Sequence, residues 1–175
     1  MKPEKILIAY FSQKGKEKTS NSAKLADQLA ELLKARNVDF ETFAIVPVEI
    51  YPEDKANFEL VTKTELESNS RPAVVDKFGG MSHITGILLV TPNWHDSVPM
   101  PVLTWLDEYD FSDKRVVPVV STTDSAAKVR EEVRKFLPNT WVLGGVEVKD
   151  TDTANATEEL TKAVEQLFQP STSKY

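Results

Sequence analysis

Ile6-Leu7-Ile8-Ala9-Tyr10-Phe11 runs into Ser12-Gln13-Lys14-Gly15-Lys16-Glu17-Lys18-Thr19-Ser20-Asn21-Ser22, and a helical pattern begins directly after it. The apolar run reads as a short buried strand, and the polar run as the loop that leaves its carboxyl end. The same unit recurs at Ile87-Leu88-Leu89-Val90, followed by Thr91-Pro92-Asn93-Trp94-His95-Asp96-Ser97 and a second helical pattern. In an open α/β sheet, ligands bind in the crevice outside the carboxyl ends of the strands. One of these loops is rich in hydroxyls and amides that suit a phosphate. The other carries aromatic rings that suit a flat ligand.

Strand-like and helical segments alternate through the rest of the chain, as a parallel sheet with crossover helices requires. Residues 5–11 form the first predicted strand, and Ala23, Ala26, Leu29, Ala30 and Leu33 lie on one face of the helix after it. Val38 to Ile45 is the second strand. Residues 46–82, with Pro47, Pro52 and Pro72, read as a long connection holding one or two short helices. Ile84 to Val90 is the third strand. Ser97 is placed to cap the next helix, and Pro99 and Pro101 suit its first turn. Arg115 to Ser121 is the fourth strand, and the helix after it must stop at Pro138. Trp141 to Val148 is the fifth strand, and Leu160, Val164 and Leu167 form the stripe of a last helix. These elements suit an α/β, doubly wound, five-stranded parallel sheet with helices on both faces. Residues 1–169 are expected to form a single domain, with 170–175 a frayed tail.

Composition narrows the functional classes. The 175-residue chain has no cysteine, which excludes disulfides, thiolate metal ligands and thiol catalysis. Any redox chemistry must then come from a bound cofactor. A net charge of −6 argues against a nucleic-acid partner, whose backbone needs a basic face. No apolar run approaches a membrane span, and no signal-peptide pattern opens the chain, so a cytoplasmic location without a membrane partner is expected. His83 and His95 are the only histidines, so a metal site is not expected. A Gly-x-Ser-x-Gly elbow is absent, and Gly15-Lys16 is followed by Glu17, which breaks the Walker pattern. Trp105 and Trp141 read as core residues.

The first loop can be read in two ways. Ser20 or Asn21 is a good helix N-cap on residue type alone. Alternatively, Ser12, Thr19, Ser20, Asn21 and Ser22 converge on a phosphate at the helix N-terminus, where free amides and the helix dipole favour an anion. Lys14, Lys16 and Lys18 are the dense basic stretch near this loop, and their ordinary role would be a solvated surface. A phosphate loop paired with an aromatic loop suggests a flavin mononucleotide (FMN) site.

Ala9-Tyr10-Phe11-Ser12 followed by Ser20-Asn21-Ser22-Ala23 resembles the phosphate loop of flavodoxins. Val48-Glu49-Ile50-Tyr51-Pro52, Ser70-Arg71-Pro72-Ala73 and above all Pro92-Asn93-Trp94-His95-Asp96-Ser97-Val98-Pro99-Met100-Pro101 are similar to segments of a bacterial branch of that family. The resemblance implies a flavodoxin-like fold with strand order 2-1-3-4-5. It also implies FMN, with phosphate in the first loop and the isoalloxazine between the second and third. The candidate cofactor-binding residues are thus Ser12, Lys18, Thr19, Ser20, Asn21 and Ser22, then Thr91, Pro92, Asn93, Trp94 and His95, then Ser121, Thr122, Thr123 and Asp124. Three departures stand out. Ser20 replaces a glycine, His95 stands where a second large aromatic is common, and the third loop is shortened to Thr122-Thr123-Asp124-Ser125. Asp124, if it pointed inward, would lower the flavin potential or weaken binding. The expected role is electron transfer, or catalysis as a small flavin-dependent reductase, with an unidentified redox protein or small-molecule acceptor as partner. The alternative is a flavodoxin-fold binding or regulatory module that has lost tight FMN binding.

Overall fold

The computed structural model describes residues 4–13 and 20–169. Strands β1 (Lys5–Phe11), β2 (Asp39–Ile45), β3 (Gly86–Pro92) and β4 (Arg115–Thr122) are interleaved with helices α1 (Asn21–Ala35), α2 (Lys55–Glu67) and α3 (Met100–Asp107). Helices α4 (Ala127–Phe136) and α5 (Thr157–Phe168) flank two short strands, β5 (Trp141–Val142) and β6 (Val146–Lys149). The strands pair in parallel in the order β2-β1-β3-β4-β5, with β6 also on β4. This is the doubly wound order implied by the resemblance. Lys14 to Thr19, including the candidates Lys18 and Thr19, and the tail 170–175 lie outside the described residues.

Alternation along each strand builds two cores. Ile6 and Ile8 of β1, Leu88 and Val90 of β3, and Val117 and Val119 of β4 face α1 and α5, meeting Leu25, Leu29, Leu33, Leu160, Val164 and Leu167. Leu7 and Ala9, Ile87 and Leu89, and Val116 and Val120 face the other side, meeting Val102, Trp105, Val129 and Val133 of α3 and α4. Phe58, Val61 and Leu66 extend that second layer from α2. Trp105 is fully buried, as expected, whereas Trp141 is half-buried beneath the Arg115 guanidinium. No described helix is long and apolar enough to cross a membrane.

Boundaries differ from expectation in two instructive places. At their carboxyl ends β3 runs two residues and β4 one residue further than predicted, so Thr91, Pro92 and Thr122 belong to strand ends, as Ser121 was expected to. The fifth strand is split instead of running from Trp141 to Val148. Pro118 lies in the middle of β4, between two neighbours, and has no amide to give to a ladder; such prolines occur at bulges. The neighbouring chain bulges there: Gly145 adopts a φ of +71°, and a Cβ on it would lie 2.2 Å from the Pro118 carbonyl oxygen. Gln166 of α5 closes the gap, accepting from the Gly145 amide at 2.7 Å and donating to its carbonyl at 3.1 Å.

Gly145→Ala is expected to cost about 1–3 kcal/mol from the left-handed backbone alone, with the carbonyl clash adding to it. Gly144→Ala, which meets open space, should change stability by less than about 0.5 kcal/mol. Urea denaturation of the two variants checks this, and equal small losses would refute the bulge as a constraint.

Candidate functional site

A cavity of about 490 Å³ opens at the carboxyl end of the sheet, between the segments after β1 and β3. Its lining comprises Phe11, Gln13, Ser20, Asn21, Ser22, Pro92, Asn93, Trp94, Ser121 and Asp150. Other hollows of similar size exist among the described residues, including one beside Tyr51, Glu65 and Arg71, one at the amino end near His83 and Lys114, and one along α4 at Lys128, Glu132 and Phe136. What singles out the first is unmet hydrogen bonding. Asn93 Oδ1 and Ser121 Oγ are buried without a partner among the described residues, and both residues line this cavity. Ser121 is only 2% exposed. Buried polar atoms without partners are costly, on the order of 1–3 kcal/mol each, and ask for a ligand to satisfy them.

At the α1 end of the cavity, the N-cap reading of the first loop is the one observed. Ser20 is the N-cap of α1 and accepts from the Ala23 amide at 3.1 Å. Helix geometry leaves the Asn21 and Ser22 amides without intrahelical acceptors, which is the basis of anion binding at such ends. Ser12 is buried, and its amide donates to the Ile45 carbonyl at 2.9 Å, so it pins β1 to β2 and does not line the cavity.

The second loop is a tight hairpin rather than an aromatic flap. Trp94 and Ser97 exchange backbone hydrogen bonds at 2.8 and 3.1 Å, and both intervening residues, His95 and Asp96, have positive φ (59° and 63°). Two consecutive left-handed residues define a type I′ turn, and His and Asp tolerate that region better than most. Side chains secure the strained turn. Ser97 is not a helix cap as expected: its hydroxyl donates to the Glu132 carboxylate at 2.9 and 3.0 Å, and the Val98 amide donates to the same group at 2.8 Å. Proline 99 precedes α3 in its place. His95 Nε2 lies 2.8 Å from Thr62 Oγ1 of α2, so the imidazole is held on α2 and does not line the cavity. Trp94 does line it. Its ring meets Phe11, Tyr51 and Phe58 nearly edge-to-face at 5.1, 5.2 and 4.8 Å, which makes it a fixed wall.

The third segment is reached through Asn93, whose Nδ2 donates to Thr122 Oγ1 at 3.2 Å and to the Ser125 carbonyl at 3.1 Å. That amide holds the second and third loops together and leaves Oδ1 buried without a partner among the described residues. Thr91, Thr122, Thr123 and Asp124 do not line the cavity. The Asp124 carbonyl instead accepts from Lys149. Sequence reading missed Asp150, the first residue after β6. Asn21 Nδ2 donates to its Oδ1 at 3.4 Å. Burial raises the Asp150 pKa from its ordinary value, and the Asn21 hydrogen bond opposes that only in part. Its position at the carboxyl end of a parallel strand is the signal that would have found it. Among the described residues, no cluster of His, Asp and Glu is placed to hold a metal ion.

Comparison with known proteins agrees with this geometry. The sequence profile of the flavodoxin family matches residues 5–167. A candidate flavoprotein from Bacteroides eggerthii superposes with a TM-score of 0.77 at 20% identity, covering 95% of this chain and 99% of that one. Another candidate flavoprotein, from Bacteroides uniformis, gives 0.72 at 25% identity, over 94% and 99%. A flavoprotein from Lactobacillus acidophilus, solved in complex with FMN, gives 0.70 at 18% identity, over 95% and 99%. A search of curated proteins finds no significant match.

Glu132→Ala strands the Val98 amide and leaves the Ser97 hydroxyl only the Val98 carbonyl, 3.0 Å away, and is expected to lower stability by about 1–3 kcal/mol. It should also speed hydrogen exchange at Trp94 and Ser97 while leaving β1 amides unchanged. Unchanged exchange at those two amides would show that the turn holds itself.

Proposed function

The chain belongs to the flavodoxin family, and on that premise we propose that it binds FMN non-covalently and serves in electron transfer or as a small flavin-dependent reductase. The observation that supports this best is the pairing, in one cavity, of a helix N-terminus with the partnerless Asn93 Oδ1 and Ser121 Oγ. An anion belongs at the first, and a neutral polar group with donors belongs at the second. FMN carries both, and when bound it would supply the one- and two-electron chemistry that a cysteine-free chain lacks.

This chain's own residues would position and shield. The Asn21 and Ser22 amides and the Ser22 hydroxyl would hold the phosphate, each charge-assisted bond contributing ~1.5–3 kcal/mol. Asn93, fixed by Thr122 and Ser125, would accept from a ligand donor through Oδ1 without reorganising. Trp94 and Phe11 would present a rigid apolar wall that excludes water from one side. His95 would contribute through the turn it forms rather than by stacking. With the imidazole on α2 and a short third segment, cover of the ring is thin, and FMN binding should be weaker than in a flavodoxin with a long third loop. The same thin cover favours, as a second reading, a flavodoxin-fold binding module without tight FMN.

Titrating the apo-protein with FMN is expected to quench tryptophan fluorescence, and Trp94→Phe should remove much of that quench. Asn93→Ala should weaken FMN by about tenfold or more, the equivalent of one lost hydrogen bond of roughly 1.4 kcal/mol or above. Absence of any heat or fluorescence change at high FMN in a folded sample rejects FMN binding and leaves the module reading.

A further inference from the structure

Asp150 places a carboxylate at the end of the cavity where an anion belongs. It follows β6 directly, is half-buried, and shares the cavity lining with Ser20, Asn21 and Ser22. Its position is tightly defined. Asn21 donates to Asp150 Oδ1 at 3.4 Å while its own Oδ1 accepts from Thr153 Oγ1 at 2.9 Å. Gln28, two turns along α1, donates to the Thr153 carbonyl at 2.7 Å and accepts from the Ala156 amide at 3.1 Å. The segment carrying Asp150 is therefore fastened to α1 at two levels. The partnerless Ser121 Oγ, in the same cavity, shows independently that this space is shaped for a ligand.

A phosphate and an ionised carboxylate in one partly desolvated cavity repel each other, and two acids that share a site cannot both keep their full charge cheaply. Resting on the FMN reading, we infer that Asp150 sets the selectivity between phosphorylated and unphosphorylated flavin, and that seating the phosphate is coupled to uptake of a proton by the Asp150 carboxyl. The proton comes from solvent and no covalent bond to the ligand forms. Protonated, the carboxyl turns from a repelling group into a donor for a phosphate oxygen. Ionised, it favours riboflavin, which brings no charge to that end.

Among the described residues, no cation is paired with Asp150. Lys149 pairs with Glu147 at 3.1 Å and reaches the Asp124 carbonyl. Lys24 and Asp27 lie on the exposed face of α1, and Asp152 and Asp124 are exposed. Lys14, Lys16 and Lys18 lie outside the described residues and are the same in every protein compared below. Burial already raises the proton affinity of Asp150 without a ligand. Folding thus favours its protonated form: that contribution is complete below the ordinary aspartate range and fades as pH rises through the raised folded value. At pH 8 the ionised group costs stability, so Asp150→Asn should fold at least as well as the parent.

The test is fluorescence titration of the full-length apo-protein with FMN and with riboflavin, at about pH 6 and pH 8 and fixed ionic strength. Asp150→Asn is expected to bind FMN about tenfold more tightly than the parent at pH 8, the change carried by a one-unit shift in proton affinity. Riboflavin affinity should change less than about twofold. The advantage of the variant for FMN should shrink at pH 6; the second ionisation of the phosphate occurs in both proteins and cancels in the comparison. Calorimetry at about pH 6 in two buffers of different ionisation enthalpy should show more proton uptake with FMN for the parent than for Asp150→Asn, the phosphate's own contribution being common to both. An equal FMN affinity in parent and variant at pH 8 overturns the assignment while leaving FMN binding intact. Weaker binding of both flavins by the variant also overturns it, since Asp150 would then hold a hydroxyl common to both. Failure of the parent to bind either flavin rejects the FMN reading itself, and this inference with it.

Discussion

Both faces of the sheet must be covered, and most of the architecture follows from that constraint. Each central strand sends alternate residues to opposite sides, so Ile8 and Val119 are buried against α1 and α5 while Leu7 and Val120 are buried against the α2–α3–α4 layer. At ~25 cal/mol per Å² of apolar surface, neither layer can be left off without losing a large share of the folding energy. Helices occupying both faces leave only the two ends of the sheet open. The carboxyl end gathers the N-terminus of α1 and the hairpin after β3, and the cavity forms between them.

Within that cavity, rigidity and electrostatics pull in different directions. Trp94 is locked by three aromatic neighbours, Asn93 by two loop contacts and Ser97 by Glu132, so the wall is preorganised and little ordering entropy remains to be lost on binding. The charge at the site is less settled. The dipole of α1 contributes ~0.3–1 kcal/mol toward an anion, and the free amides add more, while the half-buried Asp150 opposes them in a protein of net charge −6. Helix terminus and carboxylate thus place opposing electrostatic preferences at one end of the cavity.

The strained turn at His95 and Asp96 illustrates how such a wall is kept. Left-handed non-glycine residues cost of order 1–3 kcal/mol and persist where the surroundings over-determine them. Here Thr62 of α2, and Lys128 and Glu132 of α4, hold the turn from both sides. The second loop is thereby coupled to the layer of helices that covers one core, and any change in that layer is felt at the cavity.

The sequence by itself was enough for the alternation of strands and helices, the strand order through family resemblance, the two cores, and the residues Ser20, Asn21, Ser22, Pro92, Asn93, Trp94 and Ser121 that meet in the cavity. These are read locally, because apolar periodicity and loop composition lie within a few residues of one another. Three features needed tertiary structure. The fifth strand breaks because Pro118, on a different strand, has no amide to offer opposite Gly145. His95 is drawn away from the cavity because Thr62, 33 residues earlier, takes its ring nitrogen. Asp150 lines the cavity beside the α1 N-terminus, where Asn21, 129 residues away in the chain, donates to it. In each case the deciding partner is remote in sequence and adjacent only after the sheet is wound, so the local pattern can flag a position, as the end of a parallel strand flags Asp150, but cannot supply the contact that fixes it.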